Sequence, residues 1–153
     1  MELSSNDAKL SQNSSQGSYH SEIIADHYNA LEEKGLIARD NSRIIHMRNF
    51  NNWIKSTLLS VFLKRVKASK KEGEDINVLD MGCGKGGDLF KWRDGGVTHA
   101  IFADLAETSV RQCEQRYEDL KRRSGKRLFS AEFISADCTR VCLLLFCCYH
   151  ELL

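Results

Sequence analysis

The stretch VLDMGCGKGGDLFKW, residues 78–92, restricts the fold more than any other part of the chain. An apolar run, Ile76–Met81, passes straight into glycines at Gly82, Gly84 and Gly87, and a helical pattern follows to about Arg93. A strand that breaks into a glycine-rich turn and continues as a helix is the opening unit of an open α/β sheet. Glycine reaches φ > 0 without strain and lets the backbone approach a ligand closely. A helix start behind such a turn favours a phosphate or carboxylate. By itself, G-x-G-x-x-G spacing suits NAD, FAD or S-adenosylmethionine (SAM).

The flanking sequence repeats the pattern. Ile54, Leu58, Phe62 and Val66 recur at i, i+4, i+8 and i+12, which predicts a helix from Trp53 to about Lys67 with these residues on one face. His99–Ala103 predicts a second buried strand ending at Asp104. Ala106, Val110, Cys113, Tyr117 and Leu120 mark a second amphipathic helix, with Gly125 as its stop. Phe129–Ala136 predicts a third strand ending at Asp137. Strand, helix, strand, helix, strand at this spacing predicts an α/β fold with the first three parallel strands of a Rossmann-like sheet. A short helix is expected through Ala30–Leu36. Residues 1–18, rich in Ser, Asn and Gln, are expected to be disordered because they lack apolar surface to bury.

Composition narrows the function classes. The chain has 153 residues, enough for one domain. Its 22 basic and 21 acidic side chains leave a net charge of +1, so any attraction to a polyanion must be local. No signal-peptide pattern or long apolar run is present, so an intracellular soluble protein is expected. Six cysteines form no C-x-x-C pair, which gives a zinc site little support, and no metal is expected.

Three aspartates decide between the ligands of the turn. Asp80 lies two residues before Gly82. A carboxylate there repels a dinucleotide pyrophosphate but attracts the ammonium and sulfonium of SAM. Asp104, at the tip of the next strand, is placed to accept both ribose hydroxyls, and Asp137 to accept the adenine amine. Carboxylates at the ends of successive strands converge on one crevice. The pattern favours SAM over NAD or FAD. Cys83 reads as a small residue tolerated within the turn.

The segments RNFNNWIKS (48–56), VLDMGCGKGGDLFKW (78–92), ADLAETSVRQCEQRYEDLKRR (103–123) and FSAEFISAD (129–137) resemble the mRNA cap guanine-N7 methyltransferases of animals, and HYNALEEKGL (27–36) resembles the segment before them. The resemblance covers residues 19–137. It implies a nuclear, SAM-dependent enzyme that methylates N7 of the cap guanosine of RNA, working beside the transcription and capping machinery and without a membrane. Carried over by motif, Lys55 holds SAM with Gly82 and Gly84, Asp104 takes the ribose and Asp137 the adenine. Asn51 and Asn52 contact the cap, with Lys85, Lys91 and Arg116 near its guanosine and phosphates. Each has a plainer reading: Asn51 and Asn52 as caps of the following helix, the cations as a solvated helix face. Guanine N7 has a lone pair and no proton to lose, so no general base is expected.

The family pattern stops at Asp137. Residues 138–153, CTRVCLLLFCCYHELL, are Cys-rich and apolar without a clear period. They are read as a divergent end produced by truncation, alternative splicing or a gene-model error; a core or membrane-proximal helix and a thiol-metal site at Cys142, Cys147, Cys148 and His150 are the alternatives. The family's remaining strands, most of its cap-guanine pocket and the surface for a small activating subunit would lie beyond Asp137. The first strand would then have an open edge, and methyl transfer is not expected from this chain alone; it would act as a non-catalytic binder of SAM or RNA, or as a remnant.

Overall fold

The computed structural model describes residues 21–30, 42–125 and 128–139. The expected tail at 1–18, the helix predicted beyond Ala30 and the four residues of the alternative thiol-metal site lie outside these residues.

Residues 21–29 form helix α1. Helix α2 spans Ile45–Ser69, strand β1 Asn77–Met81, helix α3 Leu89–Asp94, strand β2 His99–Asp104, helix α4 Glu107–Arg123 and strand β3 Ser130–Ser135. The three strands are parallel in the order β1-β2-β3, with Met81 opposite Ala103 and Asp104 opposite Ser135. All three predicted strands are present within two residues of their expected bounds. Parallel neighbours need a crossover, which α3 and α4 provide.

The core follows from β2. Its residues Ala100–Ala103 are buried on both faces, as a central parallel strand requires. Phe102 stacks on Phe133 with ring centroids 5.3 Å apart, and Tyr117 of α4 packs against Phe129 and Phe133. The Tyr117 hydroxyl donates to the Phe129 carbonyl at 2.6 Å, so its one polar atom is satisfied. α4 buries Val110, Cys113, Tyr117 and Leu120, the stripe read from the sequence.

α2 corrects the sequence reading. It begins at Ile45, eight residues before the predicted start at Trp53, and the apolar face read from the sequence is not the one that docks. Leu58, Phe62 and Val66 are exposed, and Ile54 is only partly covered. Leu63, with Leu59 beside it, faces the core instead. Leu63 lies directly on Gly95, where any Cβ would collide with it. Leu59 and Leu63 are also four apart, so the helix carries two apolar stripes, and period alone does not say which one meets the sheet. On the uncovered side Phe50 stacks on Trp53 at 6.1 Å. Among the described residues β1 pairs with β2 alone.

Candidate functional site

The carboxyl ends of the strands hold the candidate crevice. As β1 ends, the Gly82 and Cys83 N–H groups donate to the Ala103 carbonyl of β2 at 2.8 and 3.1 Å, which folds the turn over the sheet. Gly82 and Gly84 have φ of +73° and +52°, and a Cβ at either would meet nothing within 4 Å. Their side of the turn is open space that a ligand can enter without displacing protein atoms.

The third turn glycine is not the expected one. Gly87 has no positive φ, whereas Gly86 has φ +75°, and a Cβ there would lie 2.8 Å from both Cys113 Sγ and Leu89 Cδ1. In a Gly-Gly pair the sequence does not reveal which member turns inward. Cys83 is buried, and its hydrogen bond with Cys113, then burial, push its thiol well above the usual range. That suits a packing role and not a nucleophile.

All three aspartates lie at the carboxyl end of the sheet. Asp104 accepts from the Gly84 N–H at 2.8 Å and from the Ala106 N–H at 2.9 Å, one bond to each carboxylate oxygen. It thereby fixes the turn and still has a lone pair on each oxygen for a diol. Asp80 Oδ2 accepts from the Trp92 indole N–H at 2.9 Å. Burial pushes the Asp80 carboxyl above its ordinary value; the Trp92 bond and Lys55 act against this, and the charges of Asp88 and Asp104 add to it. A cation beside Asp80 would relieve that cost, whereas another anion would deepen it. Asp137 accepts from the Ser21 hydroxyl of α1 at 2.7 Å, the Thr139 N–H at 3.0 Å and the Thr139 hydroxyl at 2.6 Å. α1 also reaches the start of α4, where Asn29 Oδ1 accepts from the Thr108 N–H at 3.0 Å. α1 therefore lies along the side of the crevice that Asp104 and Asp137 occupy.

The expected basic residues fall into two groups. Lys55 and Lys91 both grip Asp88, Lys91 at 2.7 Å, and Lys91 also donates to Asn52 Oδ1 at 2.6 Å. Asp88 is 8% exposed. Burial alone would raise its carboxyl, but bonds and charges from the two lysines hold it below the usual carboxylate range. The sequence assigns Asp88 no role. It precedes α3 as an N-cap residue would, yet its side chain makes no capping bond because it is turned to the lysines. Arg116 Nη1 donates to the Lys85 carbonyl at 2.9 Å, which brings α4 to the other side of the turn. Asn51 lies exposed on α2 beside Asn52. Among the described residues no cluster of three or more side chains has the makeup of a metal site.

Residues 11–147 match the family described as the mRNA (guanine-N(7))-methyltransferase domain. The chain belongs to this family. Curated cap methyltransferases agree. The mRNA cap guanine-N(7) methyltransferase of Drosophila melanogaster is 46% identical over 129 residues, covering 82% of this chain and 30% of the relative. The Schizosaccharomyces pombe protein of the same name is 42% identical over 117 residues, covering 76% of this chain and 30% of the relative. The chain thus spans about 30% of the length of these cap methyltransferases. Among solved structures, magnesium protoporphyrin IX methyltransferase from Synechocystis PCC 6803 with bound SAM superposes with a TM-score of 0.56 at 12% identity, over 79% of this chain and 56% of that one. At that identity the likeness shows the shared α/β methyltransferase fold alone.

The Asp80 environment gives one pH-dependent expectation. Its folded value lies above its unfolded one, so folding penalises the ionised form. This group favours folding most below the unfolded value, and the benefit is lost as pH rises through the folded value. Asp80→Asn removes the charge while leaving an oxygen for Trp92. Thermal melts of the ligand-free protein should show the variant more stable than the parent at neutral pH, with the gap closing as pH falls into the ordinary carboxylate range. A variant that melts lower at neutral pH would contradict the argument.

Proposed function

We propose that the chain is the cofactor-binding part of an mRNA cap guanine-N7 methyltransferase, with SAM bound in the crevice defined by Asp80, Gly82, Gly84, Asp104 and Asp137. The observation that carries this reading is the pairing of open space beside Gly82 and Gly84 with a half-buried carboxylate, Asp80, whose ionised form a ligand cation would favour. Asp104 accepts the ribose hydroxyls while holding the turn by its backbone bonds. Asp137 accepts the adenine amine, with Ser21 yielding or sharing its position. Lys55, held on Asp88, flanks the cofactor, while Lys91, held on the same carboxylate, presents positive charge toward the triphosphate bridge together with Lys85 and Arg116. Asn52, fixed by Lys91, and Asn51 offer donors and acceptors to the cap.

SAM supplies an electrophilic methyl group on its sulfonium. The acceptor N7 brings its own lone pair, so the protein moves no proton. Its work is to hold the two reactants in line and surround them with fixed charges, an effect that reaches roughly 7–11 kcal/mol in well-oriented cases. A nuclear location and capped RNA as substrate belong to the same reading.

The test is calorimetric titration of the chain with S-adenosylhomocysteine, alongside incubation with labelled SAM and GpppG-capped RNA. One-site binding is expected, weakened at least tenfold in Asp104→Ala through loss of the diol hydrogen bonds and of the turn's anchor. Methyl transfer by the chain alone is not expected, since the chain spans about 30% of the length of the cap methyltransferases it matches. Absence of binding would sink the cofactor reading; labelled N7 would show that these residues suffice for transfer.

A further inference from the structure

A groove of about 930 Å³ runs between α3 and α4, beside the crevice. One end is lined by Asn52, Lys91 and Arg116, and the other reaches Arg123 and Ser124 at the far end of α4. Four cations line it, Lys91, Arg93, Arg116 and Arg123, against two carboxylates, Asp94 and Asp119; Arg93 is paired with Asp94 at 2.8 Å, and Lys91 with Asp88 outside the lining. Asp119 is itself held by Arg122, which is not part of the lining. Within the groove Phe90 is 57% exposed, and the Arg93 guanidinium lies 4.9 Å from its ring centroid. An exposed aromatic that carries a guanidinium is a stacking platform for unpaired bases. Cations spaced along a groove suit the phosphates of a chain. An acidic peptide would use the charges but not the platform.

We propose that this groove binds the single-stranded transcript that follows the cap, with Arg93 and Arg123 on its phosphates and Phe90 against a base. The inference rests on the cap reading above, because it starts from the end lined by Asn52, Lys91 and Arg116. It adds Phe90 and Arg93, to which the sequence assigns no role, and Arg123 of the basic run KRRSGKR (121–127), whose charge can attract RNA phosphates.

The experiment measures binding of the whole chain to two probes, the GpppG dinucleotide and a GpppG-capped oligoribonucleotide of unpaired sequence, by fluorescence anisotropy over a range of salt. The oligoribonucleotide should bind more tightly than the dinucleotide. Arg93→Ala/Arg123→Ala should weaken it about tenfold and reduce the salt slope by roughly 0.7 for each phosphate no longer neutralised, leaving the dinucleotide unchanged. Phe90→Ala should weaken the oligoribonucleotide by roughly fivefold or more. Arg111→Ala, on α4 outside the groove, should change neither. Equal affinity for the two probes, an Arg111→Ala loss as large as the groove variants', or equal competition by polyglutamate and uncapped RNA would each overturn the proposal. S-adenosylhomocysteine and dinucleotide binding separate the two readings. If both persist without an oligoribonucleotide advantage, the groove fails and the cofactor reading stands. If both are absent while groove-dependent RNA binding remains, the cofactor reading fails.

Discussion

Gly86→Ala should destabilise the protein by about 2–4 kcal/mol, whereas Gly87→Ala next to it should stay within about 0.5 kcal/mol. At Gly86 two costs add. A Cβ at φ +75° carries the strain of the left-handed region, of order 1–2 kcal/mol. The same atom would lie 2.8 Å from Cys113 Sγ and from Leu89 Cδ1, and neither can retreat freely, since both belong to the packed core. Gly87 has neither problem. Urea unfolding followed by circular dichroism measures both variants. Equal losses would mean that the turn tolerates either register. Because Leu89 begins α3 and Cys113 lies in the middle of α4, the damage should also reach the crevice, and S-adenosylhomocysteine affinity should fall with stability in Gly86→Ala alone.

Asp88→Ala should cost about 2–3 kcal/mol and, separately, release the basic residues of the crevice. Removing one partner of a buried ion pair leaves the other charge stranded, a loss of roughly 3–5 kcal/mol when both are buried. Here the Lys91 side chain is 13% exposed but Lys55 is 57% exposed, which places the expected loss lower. Asp88 titrates below its unfolded value, so its contribution is present above the unfolded carboxylate value and is lost as pH falls through the folded one. Asp88→Ala should therefore flatten the acid limb of the stability curve. Thermal melts from neutral to acid pH read this directly, and a parallel curve displaced by a constant amount would argue for a packing effect alone. Freed of Asp88, Lys91 keeps only Asn52 and a long hydrogen bond to the Gly87 carbonyl. Binding of the cap dinucleotide should then weaken beyond what the stability loss explains.

These two residues also mark what can be read from the sequence. The strands are legible because continuous apolar runs end at glycine or aspartate, so both the buried elements and the carboxylates at their tips carry a local signal. Asp80, Asp104 and the turn glycines Gly82 and Gly84 lie together at one end of the sheet, and Asp137 follows β3 as the order of elements implies. The start of α2 is not legible, because Arg48–Asn52 carries three asparagines, which have low intrinsic helix preference, and tertiary packing overrides it. Its docking face is ambiguous because two apolar stripes compete and only Gly95, 32 residues beyond Leu63, chooses between them. Asp88 gives no signal of its own because a carboxylate before a short helix has an ordinary local explanation. Its two lysine partners, three and 33 residues away, reveal the other one. Helix α1 has no clear period, and its ties to Asp137 and Thr108 are long-range polar contacts that no local pattern encodes.

The spatial order of the strands repeats their order in the chain. Each described strand after the first therefore joins a neighbour already present, with one helix as the link, and none of the three is threaded between two earlier ones. Domains assemble from the amino terminus during synthesis at about 5–20 residues per second. On such a ribosome-paced schedule Asp80 emerges first, its turn closes when Ala103 arrives, and Asp137 completes the acidic rim with the strand that finally covers β2. Vectorial growth and crevice assembly run in the same direction, so a nascent chain can present this half of the pocket as soon as β3 has cleared the exit tunnel.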